Sequence, residues 1–183
     1  MEELSEALRL EADAQRALQA GDPAASSGFL AAAARYRRSW ELAPPRSFGR
    51  LVGMLKASIL GGDADEAARY ALEQLGDTAD SPASSYALAL ARLATGDDAG
   101  AAEAAEGMRE GGAAFARAAD AIAALAARDA DAYAAAIDAI VADFAARTDH
   151  ITGVRIADTA LMLDRLAEPR GLPARAPLTL PES

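Results

Sequence analysis

The sequence predicts an all-α protein of about nine helices arranged as a stack of antiparallel helical hairpins, and three observations carry that prediction. Alanine, the best helix former, supplies 52 of the 183 residues, whereas aromatic residues supply 9. Apolar residues return every three or four positions through most of the chain. A helix, tight turn, helix pattern recurs in "ALQAGDPAASSGFLAAA" from Ala17, "SILGGDADEAARYALEQ" from Ser58, "RLATGDDAGAAEAAEGM" from Arg92 and "LAARDADAYAAAIDAIV" from Leu125.

Each element has its own justification. The opening helix, 2–20, is acidic and amphipathic. The second, 25–42, sets Phe29, Ala33, Tyr36 and Trp40 on one face, and the third, 46–60, does the same with Phe48, Leu51, Val52, Leu55 and Ile59. Pro44-Pro45 divides these two. Helices follow at 64–75, 83–95 and 98–109, with "DTADSPASS" (77–85) and "EGG" (110–112) as separators. In 113–127 the stripe is Phe115, Ala119, Ile122 and Ala126; in 130–147 it is Tyr133, Ile137, Ile140 and Phe144. The ninth helix, 152–167, carries Val154, Ile156, Leu161, Met162, Leu163 and Leu166 over a wider arc and is expected to close the open end of the stack. The proline-rich tail, 168–183, is read as an extended strap over the last hairpin or a loose end, and the whole chain, 1–183, as one domain.

The turns explain the repeat. Gly21, Gly62 and Gly96 can adopt the left-handed conformation that ends a helix, and the following aspartates can accept the free N–H groups of the next one. Asp22, Asp63, Asp97 and Asp129 are spaced by 41, 34 and 32 residues. That spacing resembles the roughly 34-residue period of tetratricopeptide arrays, a likeness that implies a right-handed superhelix with a concave, peptide-holding groove. The large-aromatic and small-residue consensus of those arrays is mostly absent, so a tetratricopeptide-like hairpin stack is the closer description.

The net charge is −10, which opposes a phosphate backbone and argues against nucleic-acid binding. Lys56 is the only lysine among 18 basic residues, a bias that genome composition or salt adaptation would produce. Without cysteine, disulfides, thiolate metal sites and cysteine nucleophiles are excluded. The start "MEELSEALRL" is unlike a secretion signal and no stretch has the length of a membrane span, so a cytoplasmic location is expected, with no membrane partner.

Catalytic and metal signals are weak. His150 is the only histidine and stands beside Asp149, but neighbours along a helix do not face each other, and a capping or surface role is expected. "GGDADE" and "TGDDAG" lack the calcium-loop spacing and read as helix caps. Phosphate-loop, paired-histidine and nucleophile-elbow motifs are absent. No enzyme activity, cofactor or metal is therefore expected.

One charge feature stands out. Between Arg35 and Arg50 there are five arginines, Arg35, Arg37, Arg38, Arg46 and Arg50, against the single acid Glu41, and Trp40 lies among them. Arginine and tryptophan dominate interface hot spots, so Arg35, Arg38, Trp40, Arg46 and Arg50 are candidate partner-binding residues. The opposing reading buries Trp40 in the core and pairs the arginines with the chain's own carboxylates.

The stretch "FARAADAIAALAARDADAYAAAIDAIVADF", followed by "VRIADTALMLDRLAEPRGL", resembles the end of the α-helical immunity-protein family numbered forty-nine among the antidotes of polymorphic toxins, with Asp131-Ala132-Tyr133 and Arg170-Gly171-Leu172 as matching positions. The resemblance implies neutralisation of a toxin without catalysis. The expectation is thus a non-catalytic protein-binding module, in its most specific form an immunity protein that occludes a toxin with an acidic surface. A tetratricopeptide-like scaffold holding a peptide segment is the alternative within that class, and homodimerisation through alanine-rich faces stays open. The rival of another class is a small helical enzyme or ligand-binding bundle using buried carboxylates, with Asp120, Asp138 and Asp158 as candidates.

Overall fold

The computed structural model describes residues 2–76 and 79–180; parts of the predicted separator and tail, residues 77, 78 and 181–183, lie outside them. Among the described residues the fold is all-α: α1 Glu2–Gln19, α2 Ala24–Glu41, α3 Gly49–Gly61, α4 Asp65–Leu75, α5 Pro82–Thr95, α6 Asp98–Glu106, α7 Ala113–Ala127, α8 Ala130–Ala146 and α9 Asp158–Ala167, with single 3-10 turns at Arg109–Gly111 and Glu168–Arg170. None of these helices is long and apolar enough to cross a membrane.

Four turns close in the same way. The amide of each turn aspartate donates to a carbonyl five residues back: Asp22 to Ala17 (2.9 Å), Asp63 to Ser58 (3.1 Å), Asp97 to Arg92 (2.9 Å) and Asp129 to Ala124 (3.0 Å). This closure needs a left-handed residue, and Gly21, Gly62 and Gly96 supply it. In the fourth turn Arg128 takes that conformation, at φ 56°. The aspartate side chains then cap the next helix at Ala24 N (2.8 Å), Gly100 N (2.9 Å) and Ala132 N (3.0 Å). Asp63 makes no such bond; α4 begins at Asp65, whose carboxylate and that of Glu66 occupy the first turn instead.

Consecutive helices pack on one another, α1 on α2, α2 on α3 and onward to α8. Their facing stripes form one core around Phe29, Leu51, Leu55, Leu90, Leu93, Ile122, Leu125, Tyr133 and Ile137. Helix α9 does more than cover the last hairpin. It packs on α3 and α7 as well as α8, which draws distant parts of the chain together, and its buried residues include Met162, Leu163 and Leu166.

The expected helix over 152–167 is corrected at its start. Residues 147–157 form a connection, and α9 begins at Asp158. Gly153 is left-handed there, while Val154 and Ile156 are buried and Arg155 between them is exposed, the alternation of an extended chain. The third helix likewise starts at Gly49 rather than 46, because Arg46 has φ 71°.

Beyond the left-handed Gly171 the tail is non-helical as far as Leu180, with a bend at 178–179 and with Leu172 and Leu180 buried. Asp164 in α9 holds it: one carboxylate oxygen accepts from the amides of Arg175 and Ala176, both at 2.7 Å, and the other from Tyr133 Oη at 2.8 Å. Arg170 anchors the preceding turn through Asp98 (2.9 Å) and the carbonyls of Leu166 (2.7 Å) and Leu93 (2.8 Å).

Candidate functional site

The small residues that let these helices approach closely also leave a gap. A cavity of about 410 Å³ lies where α1, α3, α7 and α8 meet the 147–157 connection and the start of α9. Its walls are mainly apolar, with Leu4 and Leu8 from α1, Val52 from α3, Phe115 from α7, Ile140 and Phe144 from α8, and Val154 and Ile156 from the connection. Gly53 is required beside it, since a Cβ there would lie 2.7 Å from the Tyr36 ring.

The deep end is polar. Lys56, its side chain 18% exposed, places Nζ 2.7 Å from Asp158 Oδ2 and 3.0 Å from Oε1 of Glu11, itself only 1% exposed. The contact with Asp158 is an aligned hydrogen bond; Glu11 Oε1 is held by charge without such alignment. Tyr36 Oη donates to Glu11 Oε2 at 2.5 Å, and Gln15 Nε2 donates to Asp158 Oδ2 at 3.0 Å while Gln15 Oε1 accepts from Thr152 Oγ1 at 2.5 Å. Five elements thus converge on one lysine: α1, α2, α3, α9 and the connection.

The electrostatics follow from that geometry. Burial opposes charge on Lys56, but Asp158 and Glu11 outweigh it and raise its pKa well above the ordinary 10.5. Tyr36 is raised by burial and then by the Glu11 charge, and burial pushes Tyr86, on the cavity wall, up to about 12. At the other end, burial would raise Asp143, yet its bonds to Arg147 and Arg117 hold it below the ordinary 3.8. These displaced groups all move away from neutral pH.

Sequence reasoning named only one member of the deep end as a candidate, Asp158. Asp120 and Asp138, the other proposed inward carboxylates, are exposed and pair with Arg109 (2.6 Å) and Arg175 (2.9 Å). Glu11 and Gln15 were legible in principle, since they replace apolar residues within the stripe Leu4, Leu8, Leu18. Lys56 carried a signal too, as the only lysine, set among Leu55, Ala57 and Ile59.

Each candidate partner-binding arginine has an acceptor within the chain. Arg35 pairs with Glu3 (3.0 Å), Arg38 with Glu41 (3.2 Å) and Arg46 with Asp80 (2.6 Å), while Arg50 donates to the Ser39 carbonyl (2.6 Å). Arg37 reaches Glu66 (2.7 Å) with its guanidinium 4.1 Å over the Tyr70 ring. Trp40 is half-buried, stacked on Phe48 at 5.7 Å with Nε1 donating to Gln74 (3.2 Å). Arg37 Nε also lies 3.5 Å from Glu41 Oε1, so the neighbouring arginines Arg37 and Arg38 share that carboxylate.

His150 lies against Phe144, ring centroids 6.2 Å apart, and its Nε2 is buried with no hydrogen-bond partner among the described residues. Asp149 accepts from Thr148 Oγ1 instead (3.3 Å). Among the described residues no three His, Asp or Glu side chains come within metal-binding reach of one another. Comparison of the chain with protein-family models, curated proteins and solved structures found no match.

Proposed function

We propose that this protein binds a small, mainly apolar molecule in the cavity between α1, α3, α7 and α8. The observation that carries the reading is the pairing of an apolar cavity of about 410 Å³ with a buried, charged end at Lys56, Glu11 and Asp158. Ligand sites combine apolar walls of this size with a few fixed polar groups. Burying three charges is costly, and a core of apolar side chains would be no less stable, so the arrangement supports a role in recognition.

The ammonium has three donors, and only Asp158 takes one in an aligned bond. A neutral acceptor such as a hydroxyl or carbonyl on the ligand suits the remainder. The test is saturable binding of the neutral fluorescent probe 1-aminoanthracene to the full chain and to Val52→Trp, which fills the cavity from α3. One site on the wild type, weakened about tenfold or more in the variant, is expected. Equal binding by both would remove the cavity as the site.

A second reading, the protein-binding module with toxin immunity or a tetratricopeptide-like groove as its specific forms, is favoured by the Trp40–Phe48 stack beside Leu42, which is 62% exposed. Tryptophan and exposed apolar side chains suit an interface. Docking there would survive Val52→Trp and fail in Leu42→Asp.

A further inference from the structure

The shallow end of the cavity has its own chemistry. Arg117 of α7 and Arg147, just after α8, both pair with Asp143, at 2.5 and 2.6 Å. Two cations on one carboxylate leave the cluster with net charge +1, against −1 for Lys56 with Glu11 and Asp158 at the deep end. The arginines are 28% and 34% exposed, so this is the end nearer solvent. Asp143 accepts from Nε and Nη2 of Arg147 and from Nη2 of Arg117, and neither Nη1 has an acceptor among the described residues. Phe144 supports the site from beneath, its ring centroid 3.9 Å from Arg147 Cζ and 6.2 Å from that of His150. The buried, unpartnered Nε2 of His150 therefore belongs to the same end. A buried polar atom without a partner, beside spare guanidinium donors on a cavity wall, marks a place where a ligand group is missing.

We infer that the occupant is a monocarboxylic acid with an apolar body, its carboxylate held at the shallow end by Arg117, Arg147 and His150. The inference rests on the cavity being a ligand site. A guanidinium fork matches the planar carboxylate. A single negative charge balances the cluster, whereas an amine would be repelled by it. The negative deep end repels the carboxylate in turn, so the orientation is fixed with the acid outward and the far end of the apolar body, where a neutral acceptor would sit, toward Lys56.

The test is isothermal titration calorimetry of the full chain with decanoate, decanol and decylamine. Decanoate should bind at least about tenfold tighter than decanol, and any decylamine bound through the −1 deep end should be indifferent to loss of the arginines. Arg117→Gln and Arg147→Gln should each remove most of that preference without changing decanol binding. Asp143→Asn provides a gain of function: by freeing both arginines it should tighten decanoate several-fold and leave decanol alone. Decanol binding as tightly as decanoate, or Asp143→Asn altering both equally, overturns the acid assignment while the cavity stands. Saturable binding of none of the three overturns the cavity reading as well.

Discussion

Lys56 owes its charge to two carboxylates that would not tolerate burial without it. Replacing it with methionine keeps the stem and removes the ammonium, leaving Glu11 and Asp158 without their cation and with Tyr36, Gln15 and Thr159 as their remaining donors. Breaking a buried ion pair from one side costs about 3–5 kcal/mol. Urea unfolding of Lys56→Met should show a loss of that order. The triple variant Glu11→Gln/Lys56→Met/Asp158→Asn should be less destabilised than the single one, because it leaves no charge uncompensated. A single variant as stable as wild type would mean that the carboxylates reach water, and the cavity's deep end would lose its special character.

At the scale of elements, the C-terminal segment shows how one buried side chain can order a stretch with no helix of its own. Asp164 gathers two tail amides and a tyrosine hydroxyl onto α9. Charge-assisted bonds of this kind are the stronger ones, and losing them unpairs backbone donors as well. Asp164→Ala should cost about 3 kcal/mol and release the tail. Limited trypsin digestion would report the release as faster cleavage after Arg175, with Tyr133→Phe, which removes one bond of the three, giving a smaller effect. Unchanged cleavage would show that Leu172 and Leu180 suffice to hold the strap. The 147–157 connection is the counterpart at the cavity: its turn at 150–153 lets Thr152 brace Gln15, and the stretch after it lines the cavity with Val154 and Ile156.

For the molecule as a whole, the displaced ionisations on the alkaline side share one sign. Lys56, Tyr36, Tyr86 and Tyr133 all have folded pKa values above their ordinary ones, Tyr133 because burial and then Asp164 disfavour its phenolate. Above the ordinary values of 10.0 and 10.5 the unfolded chain has released protons that the folded chain retains, so stability falls as pH rises. The contribution is complete below about pH 10 and is lost progressively from there toward the folded pKa values. Thermal unfolding between about pH 9 and 11 should show a steep decline in Tm, made shallower by Tyr86→Phe. A flat profile would contradict the burial of these groups. The position of α9 also separates this protein from an open stack: a solenoid helix contacts its neighbours in sequence, whereas α9 bridges α3 and α7, so that Asp158 meets Lys56 across 102 residues.

The helices and their turns were determined locally. Gly-Asp pairs at 21–22, 62–63 and 96–97 favour those closures, because the bonds involved span five residues. The stripes through Phe29, Leu51, Ile122 and Tyr133 marked the core for a similar reason, since helical periodicity alone brings them to one face. Periodicity misled at 152–157, where Val154 and Ile156 follow the two-residue spacing of extended chain. It also says nothing of the carboxylates that pair with Arg35, Arg38 and Arg46, which come from Glu3, Glu41 and Asp80. Only the tertiary structure decided that Glu11, Tyr36, Lys56 and Asp158 share one cavity, and that Arg117, Arg147 and His150 share its other end. Local hydrogen bonds and hydrophobic spacing act through neighbours along the chain, but the state of a buried charge depends on which distant faces exclude water from it.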